Sequence, residues 1–166
     1  MRAPLQALTI ACAVLLTFAC GDGAGGSDIE PRSGTWDFMG SDPVDDTCGL
    51  PDLYTDPPGQ FELTNNGDGT ITVDDSENVF DCTLDGSSFS CPERAAGEND
   101  VGGPFGLDAV VEYTITATGS FSSDTAMSGR QTIEIVCVGA DCAAVEATVG
   151  VTTPCGWAQD FTASAQ

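Results

Sequence analysis

The chain has no histidine and no lysine. Its only cations are Arg2, Arg32, Arg94 and Arg130, set against 26 acidic residues for a net charge of -22 over 166 residues. Each absence removes chemistry. Without histidine there is no Ser-His-Asp or Cys-His relay and no imidazole metal ligand; without lysine there is no Schiff base and no phosphate-loop lysine. Affinity for phosphates comes from clustered Lys and Arg, so a nucleic-acid partner is excluded. No cofactor-binding motif stands out. Long hydrophobic runs are lacking as well. The apolar stretch at residues 7–19 has 13 residues, whereas a helix crossing a bilayer needs about 20.

That stretch has the length of a signal-peptide core, with Arg2 before it and a Gly-Asp-Gly run after it. Export follows. Of eight cysteines, Cys12 would leave with the signal and Cys20 stands at its end. The other six are Cys48, Cys82, Cys91, Cys137, Cys142 and Cys155. An odd cysteine in an exported chain needs an explanation. The run from Leu16 to Cys20 resembles the lipobox of bacterial lipoproteins, with Thr17 where leucine is usual. The resemblance implies a diacylated Cys20 as the mature N-terminus, in a cell envelope facing the periplasm or cell surface. A free Cys20 in a secreted protein is the alternative. The resulting division is a signal peptide at 1–19, a lipidated N-terminus and Gly-rich flexible tether at 20–33, and one domain at 34–166. Loss of residues 1–19 removes one arginine and no acid, leaving 3 against 26 and a charge of -23. No polybasic patch is present, so membrane attachment would rest on lipid.

Leu, Ile, Val and Phe make up 28 of the 147 residues after position 19. That fraction borders on the composition of disordered chains. Two features oppose disorder. Six cysteines can form three disulfides, each worth about 2–4 kcal/mol. Period-2 alternation also recurs along the chain: Trp36 and Phe38; Phe61 and Leu63; Ile71 and Val73; Phe80, Cys82 and Leu84; Phe89 and Cys91; Val111 to Ala117; Ile133 to Cys137; and Trp157 to Ala163. The pattern predicts an all-β, antiparallel up-and-down meander with no helix beyond the signal.

Hairpin geometry predicts the disulfides. A II′ turn centred on Gly86-Ser87 sets Leu84 opposite Phe89 and Cys82 opposite Cys91, within bonding distance. A Gly139-Ala140 turn would do the same for Cys137 and Cys142. By elimination Cys48 joins Cys155, which is one of 15 connectivities for six cysteines. The meander reads as eight or nine strands. Eight, with residues 70–84 as one bulged strand, lets the end strands pair antiparallel, closes a small barrel and puts Cys48 and Cys155 on one rim. A two-sheet sandwich is the alternative. The opening Gly34-Thr35-Trp36 resembles the Gly-x-Trp start of lipocalin-like barrels. That implies carriage of a small apolar ligand in a lumen lined by Trp36, Phe38, Phe61, Ile71, Phe80, Tyr113, Ile135 and Trp157.

Other candidates are weaker. The 66–75 segment has the glycine and acids of an EF-hand loop but lacks its first ligand and its helices. A five-residue hairpin loop, pairing Leu63 with Ile71 and Phe61 with Val73, accounts for it better. The loop at 40–59 carries Asp42, Asp45, Asp46, Asp52 and Asp56, a weak Ca²⁺ candidate that reads more readily as a solvated acidic loop. A three-residue loop at 123–125 makes Glu112 and Glu134 diagonal neighbours, the one carboxylate pair a hydrolase could use. They fall on the polar face, as surface acids do. Residues 92–107 read as a long Gly/Pro-rich connection, either disordered or a lid carrying Phe105 and Leu107. The leading expectation is a non-enzymatic, lipid-anchored acidic β domain with a surface or binding role. The alternative is the apolar-ligand carrier, and a void of about 300 Å³ or more inside the barrel would favour it.

Overall fold

A computed structural model describes residues 29–49 and 58–166. The signal, Cys20, Asp52 and Asp56 lie outside the described residues. Eight antiparallel strands close a barrel in chain order. They are β1 (Gly34–Val44), β2 (Gly59–Asn65), β3 (Thr70–Asp74), β4 (Val79–Asp85), β5 (Ser88–Asp100), β6 (Val110–Ser123), β7 (Ala126–Val138) and β8 (Cys155–Ala165). β8 returns to β1, pairing Phe38 with Ala163 and Gly40 with Phe161. This closure replaces the sandwich alternative and leaves no free sheet edge within the described residues.

The alternation does what alternation must. Trp36, Leu63, Ile71, Cys82, Phe89, Phe121, Met127 and Phe161 are all buried in one cluster inside the barrel. Their strand neighbours Asp37, Glu62, Asp81 and Ser90 face water. The walls differ in height. β5, β6, β7 and β8 have 13, 14, 13 and 11 residues, whereas β2, β3 and β4 have 7, 5 and 7. At ~3.4 Å per residue, β6 spans about 45 Å and β3 about 15 Å. The excess height of β6 and β7 carries a second cluster, Cys48, Ile135, Val151 and Cys155 with Val111, Tyr113 and Trp157 against it.

The two ends of the barrel are built differently. At one end the hairpin turns are short, and residues 29–33 run across it. Pro31 is buried and Ile29 packs on the core. Arg32 N–H donates to the Asp124 carbonyl (2.8 Å), and Ser33 Oγ accepts from Asn65 N–H (2.9 Å). These residues, expected within a flexible tether, are fixed against the barrel. At the other end lie residues 45–49 and 58 and the connections at 75–78, 101–109 and 139–154.

All three expected disulfides are present, Cys48–Cys155, Cys82–Cys91 and Cys137–Cys142. They belong to a chain that folds in an oxidising setting, extracellular or periplasmic. The β4–β5 hairpin has the expected register, Leu84 opposite Phe89 and Asp85 opposite Ser88, with Gly86 at φ 59° as a II′ turn requires. Cys137–Cys142 joins different elements from those expected. Cys142 opens a helix, α1 (Cys142–Val149), closed by Gly150 at φ 74°. That helix corrects the expectation of none.

Four further readings are corrected. β3 and β4 are separate antiparallel strands, pairing Val73 with Phe80, because Asp75 Oδ1 accepts from Glu77 and Asn78 N–H and folds a turn. The β2–β3 register is displaced by two residues, with Leu63 opposite Val73 and Asn65 opposite Ile71. The cause is a tighter loop: Asn66 N–H already bonds the Thr70 carbonyl, and Asp68 caps Thr70. A slip of two keeps every side chain on its own face. The expected connection at 92–107 is mostly strand. β5 runs to Asp100, with ladder breaks between Cys91 and Arg94 and between Ala95 and Gly97. It ends in a 3-10 turn where Phe105 is 79% exposed, so it forms no lid. Finally, the expected three-residue loop at 123–125 is a two-residue turn between Ser123 and Ala126; a break between Phe121 and Ser123 makes up the difference, so Tyr113 still faces Ile135 and Glu112 faces Val136 as expected.

Candidate functional site

Eight strands enclose a space that side chains can just fill or that can hold one small ligand. Here the filling stops partway. Near the strapped end, Trp36 is fully buried, stacked 6.4 Å from Phe61 and edge-on to Phe121 at 5.9 Å. Its Nε1 donates to the Arg32 carbonyl at 3.0 Å. Above this plug lies a cavity of about 390 Å³. Phe38, Phe61, Ile71, Val73, Phe80, Phe89, Ile115, Ala117, Met127 and Phe161 give it an apolar wall. Gln60, residues 75, 77 and 78, and Arg94 form its rim, at the end with the long connections. Two other hollows, beside Met39 and beside Arg130, are more open to solvent.

A polar layer separates this cavity from the second cluster. Gln131 Nε2 donates to Gln159 Oε1 at 2.6 Å, and Gln159 Nε2 donates to the Ser41 carbonyl at 2.8 Å. Both glutamines are buried. Gly40 makes room for them, since a Cβ there would sit 2.4 Å from Gln159 Nε2.

Arg94 is the one cation lining the cavity. It follows the break in β5, and its guanidinium carbon lies 3.9 Å from the centre of the Phe80 ring. Its Nη1 is buried and has no hydrogen-bond partner. Burial pushes its pKa down, opposed by the charge of Asp75. Asp75 forms no ion pair with it, and Asp75 Oδ1 is occupied by the two N–H groups of its own turn. A guanidinium stays charged in any protein. This one carries its charge at the edge of an apolar hollow with an unused donor.

The other expected residues are placed as follows. Phe38, Phe61, Ile71 and Phe80 line the cavity, while Trp36 plugs its base. Tyr113, Ile135 and Trp157 belong to the second cluster beyond the glutamine layer. Asp42 is exposed on β1. Asp45 reaches Arg130 at 3.5 Å, and Asp46 Oδ1 accepts from Cys48 and Gly49 N–H. The three therefore do not converge, and the described residues hold no group of three or more metal-ligating side chains. Glu112 and Glu134 are exposed diagonal neighbours, with Glu98 opposite Glu112. On the outer wall Arg130 holds Asp160 through two contacts of 2.7 and 3.1 Å, which keeps the Asp160 carboxyl below its ordinary value.

Sequence reasoning missed Arg94, Gln131, Phe89, Met127 and Phe161 as cavity residues. For the aromatics the signal was present in the alternation. For Arg94 it was its place as the only cation between Arg32 and Arg130. Comparison of the chain with protein-family models, curated proteins and solved structures finds no match.

Proposed function

We propose that the barrel is a non-enzymatic carrier of one small apolar ligand, held in the cavity above Trp36. The observation that carries this reading is the volume. About 390 Å³ exceeds the ~300 Å³ at which ligand pockets begin, and the wall is apolar with few polar groups, all near its rim or the glutamine layer. A barrel built only as a scaffold would fill that space with side chains, because voids in a core are destabilising. The lipocalin-like reading of Gly34-Thr35-Trp36 agrees with it. We further infer that the domain is exported and attached through a diacylated Cys20 to a bacterial envelope, a reading that rests on the lipobox-like sequence.

The test uses N-phenyl-1-naphthylamine, a neutral fluorophore that brightens in apolar surroundings. It should saturate at one molecule per chain. Ala117→Leu, which extends a side chain into the cavity, should weaken it at least tenfold while the thermal midpoint holds or rises. Non-saturable binding, or equal binding by Ala117→Leu, would overturn the carrier reading. For the anchor, the intact mass of protein from the membrane fraction should show an N-terminal diacylglyceryl cysteine. A mature chain without it refutes lipidation.

A further inference from the structure

Resting on the carrier reading, we infer that the ligand is a single-chain amphiphile with an anionic carboxylate head, bound head-up against Arg94 with its tail toward Ala117 and Met127. Three observations converge. First, the cavity has direction. Its rim carries Gln60, Asp75, Glu77, Asn78 and the single cation Arg94, whereas its depth is lined by Ile71, Ala117, Met127 and Phe161. A molecule polar at one end and apolar along the rest matches that gradient in a single orientation.

Second, Arg94 has a buried, unpartnered donor that an acceptor on a ligand would satisfy, a carboxylate most strongly. Its Nη1 is buried without a hydrogen-bond partner. A charged donor removed from water and left unpaired is destabilising, and pairing it with a carboxylate relieves that loss and adds a charge-assisted bond. Asp75 does not fill the role, since it makes no ion pair with Arg94 and its Oδ1 is bonded to its own turn. The Phe80 ring, 3.9 Å from the guanidinium carbon, supports the group from one face. The planar fork of a guanidinium matches two carboxylate oxygens.

Third, the size sets the tail. At ~30 Å³ for a water-sized group, about 390 Å³ accommodates about 13 such groups. A saturated chain of about a dozen carbons fits.

The test is displacement of N-phenyl-1-naphthylamine by three twelve-carbon ligands that differ only in the head: dodecanoate, dodecanol and dodecylamine, each below its aggregation limit. The unmodified protein should favour dodecanoate at least tenfold over both others. Arg94→Met keeps the aliphatic stem over Phe80 and removes the fork. In this variant dodecanoate should fall to within threefold of dodecanol, while dodecanol affinity stays as in the unmodified protein. Equal affinity for dodecanoate and dodecanol in the unmodified protein would sink the headgroup assignment and leave the carrier reading standing. So would tighter binding of dodecylamine, which would give the preference to Asp75 and Glu77. If the fluorophore and all three ligands fail to bind, the carrier reading itself is lost. Because the three-ligand comparison on the unmodified protein decides the matter alone, a poorly folding Arg94→Met does not block it.

Discussion

The two ends of the barrel are lined by the same kind of alternating strand, yet one is solid and the other hollow. At the strapped end, Trp36, Phe61, Phe89 and Phe121 interlock with ring centroids between 5.5 and 6.4 Å. At the rim end the wall residues stand around a void. The difference lies in strand length rather than composition. Below the glutamine layer all eight strands face one another across the axis. Above it β2, β3 and β4 have ended, so the inward residues of β6, β7 and β8 face no strand of that wall. Tyr113, Ile135 and Trp157 therefore pack sideways with Val151 and the Cys48–Cys155 bridge. The cavity is the transition between these regimes, where a tall wall looks over a low one.

Breaking the rim end should have the largest effect. Cys48–Cys155 closes a span of 107 residues, which loop entropy puts at about 4–5 kcal/mol. Replacing both cysteines with serine should lower the thermal midpoint more than the same change at Cys82 and Cys91, nine residues apart, where the model gives about 3 kcal/mol. A larger drop from the Cys82 and Cys91 pair would show that the rim is not the staple-dependent region. Trp36→Ala comes next. Removing the plug should lose about 3–5 kcal/mol in denaturant unfolding, and a loss under 1 kcal/mol would mean the base is looser than its rings imply.

The sharpest contrast needs two residues of one strand. Gly119 and Ala117 both face inward from β6. A Cβ at Gly119 would lie 2.4 Å from the Ser128 carbonyl oxygen and 2.5 Å from Phe89 Cζ. Gly119→Ala should therefore lose about 1–3 kcal/mol through overpacking. Ala117→Leu, adding three carbons one pleat away, should lose nothing. Equal destabilisation by both would erase the distinction between solid and hollow. The smallest effect is on the outer wall. The depressed pKa of Asp160 contributes stability that is present above its unfolded value, about 3.9, and is lost as pH falls through the folded value. Unmodified protein should hold a slight advantage in melting temperature over Asp160→Asn at neutral pH. That advantage should disappear in strong acid, and one that persists there would separate it from ionisation.

Much of the fold was legible because strand physics is periodic. The Gly86 turn and the β6–β7 register followed from counting residues, and the cysteines then fell into place. Errors arose where a local signal had two structural uses. Pro92 and Gly97 read as loop residues, but they sit at interruptions of the β5 ladder, where a missing N–H or a φ of 147° does no harm. The Ala-rich run after Cys142 was hidden because Cys137 and Cys142 also suit a hairpin. Asn66 and Asp68 shortened their loop through side-chain bonds that spacing alone does not reveal. The cavity was illegible for a different reason. Inward residues alternate alike whether they meet across the axis or stop short of it, so only the three-dimensional mismatch of strand lengths separates lumen from core.

The strap at residues 29–33 ties the entering chain to the closed end of the barrel. The described chain enters at the sealed floor, so an anchor at Cys20, as proposed above, would hold the barrel from that end, opposite its mouth. On the carrier reading proposed above, cargo would enter and leave through that mouth while the hold on the base is kept.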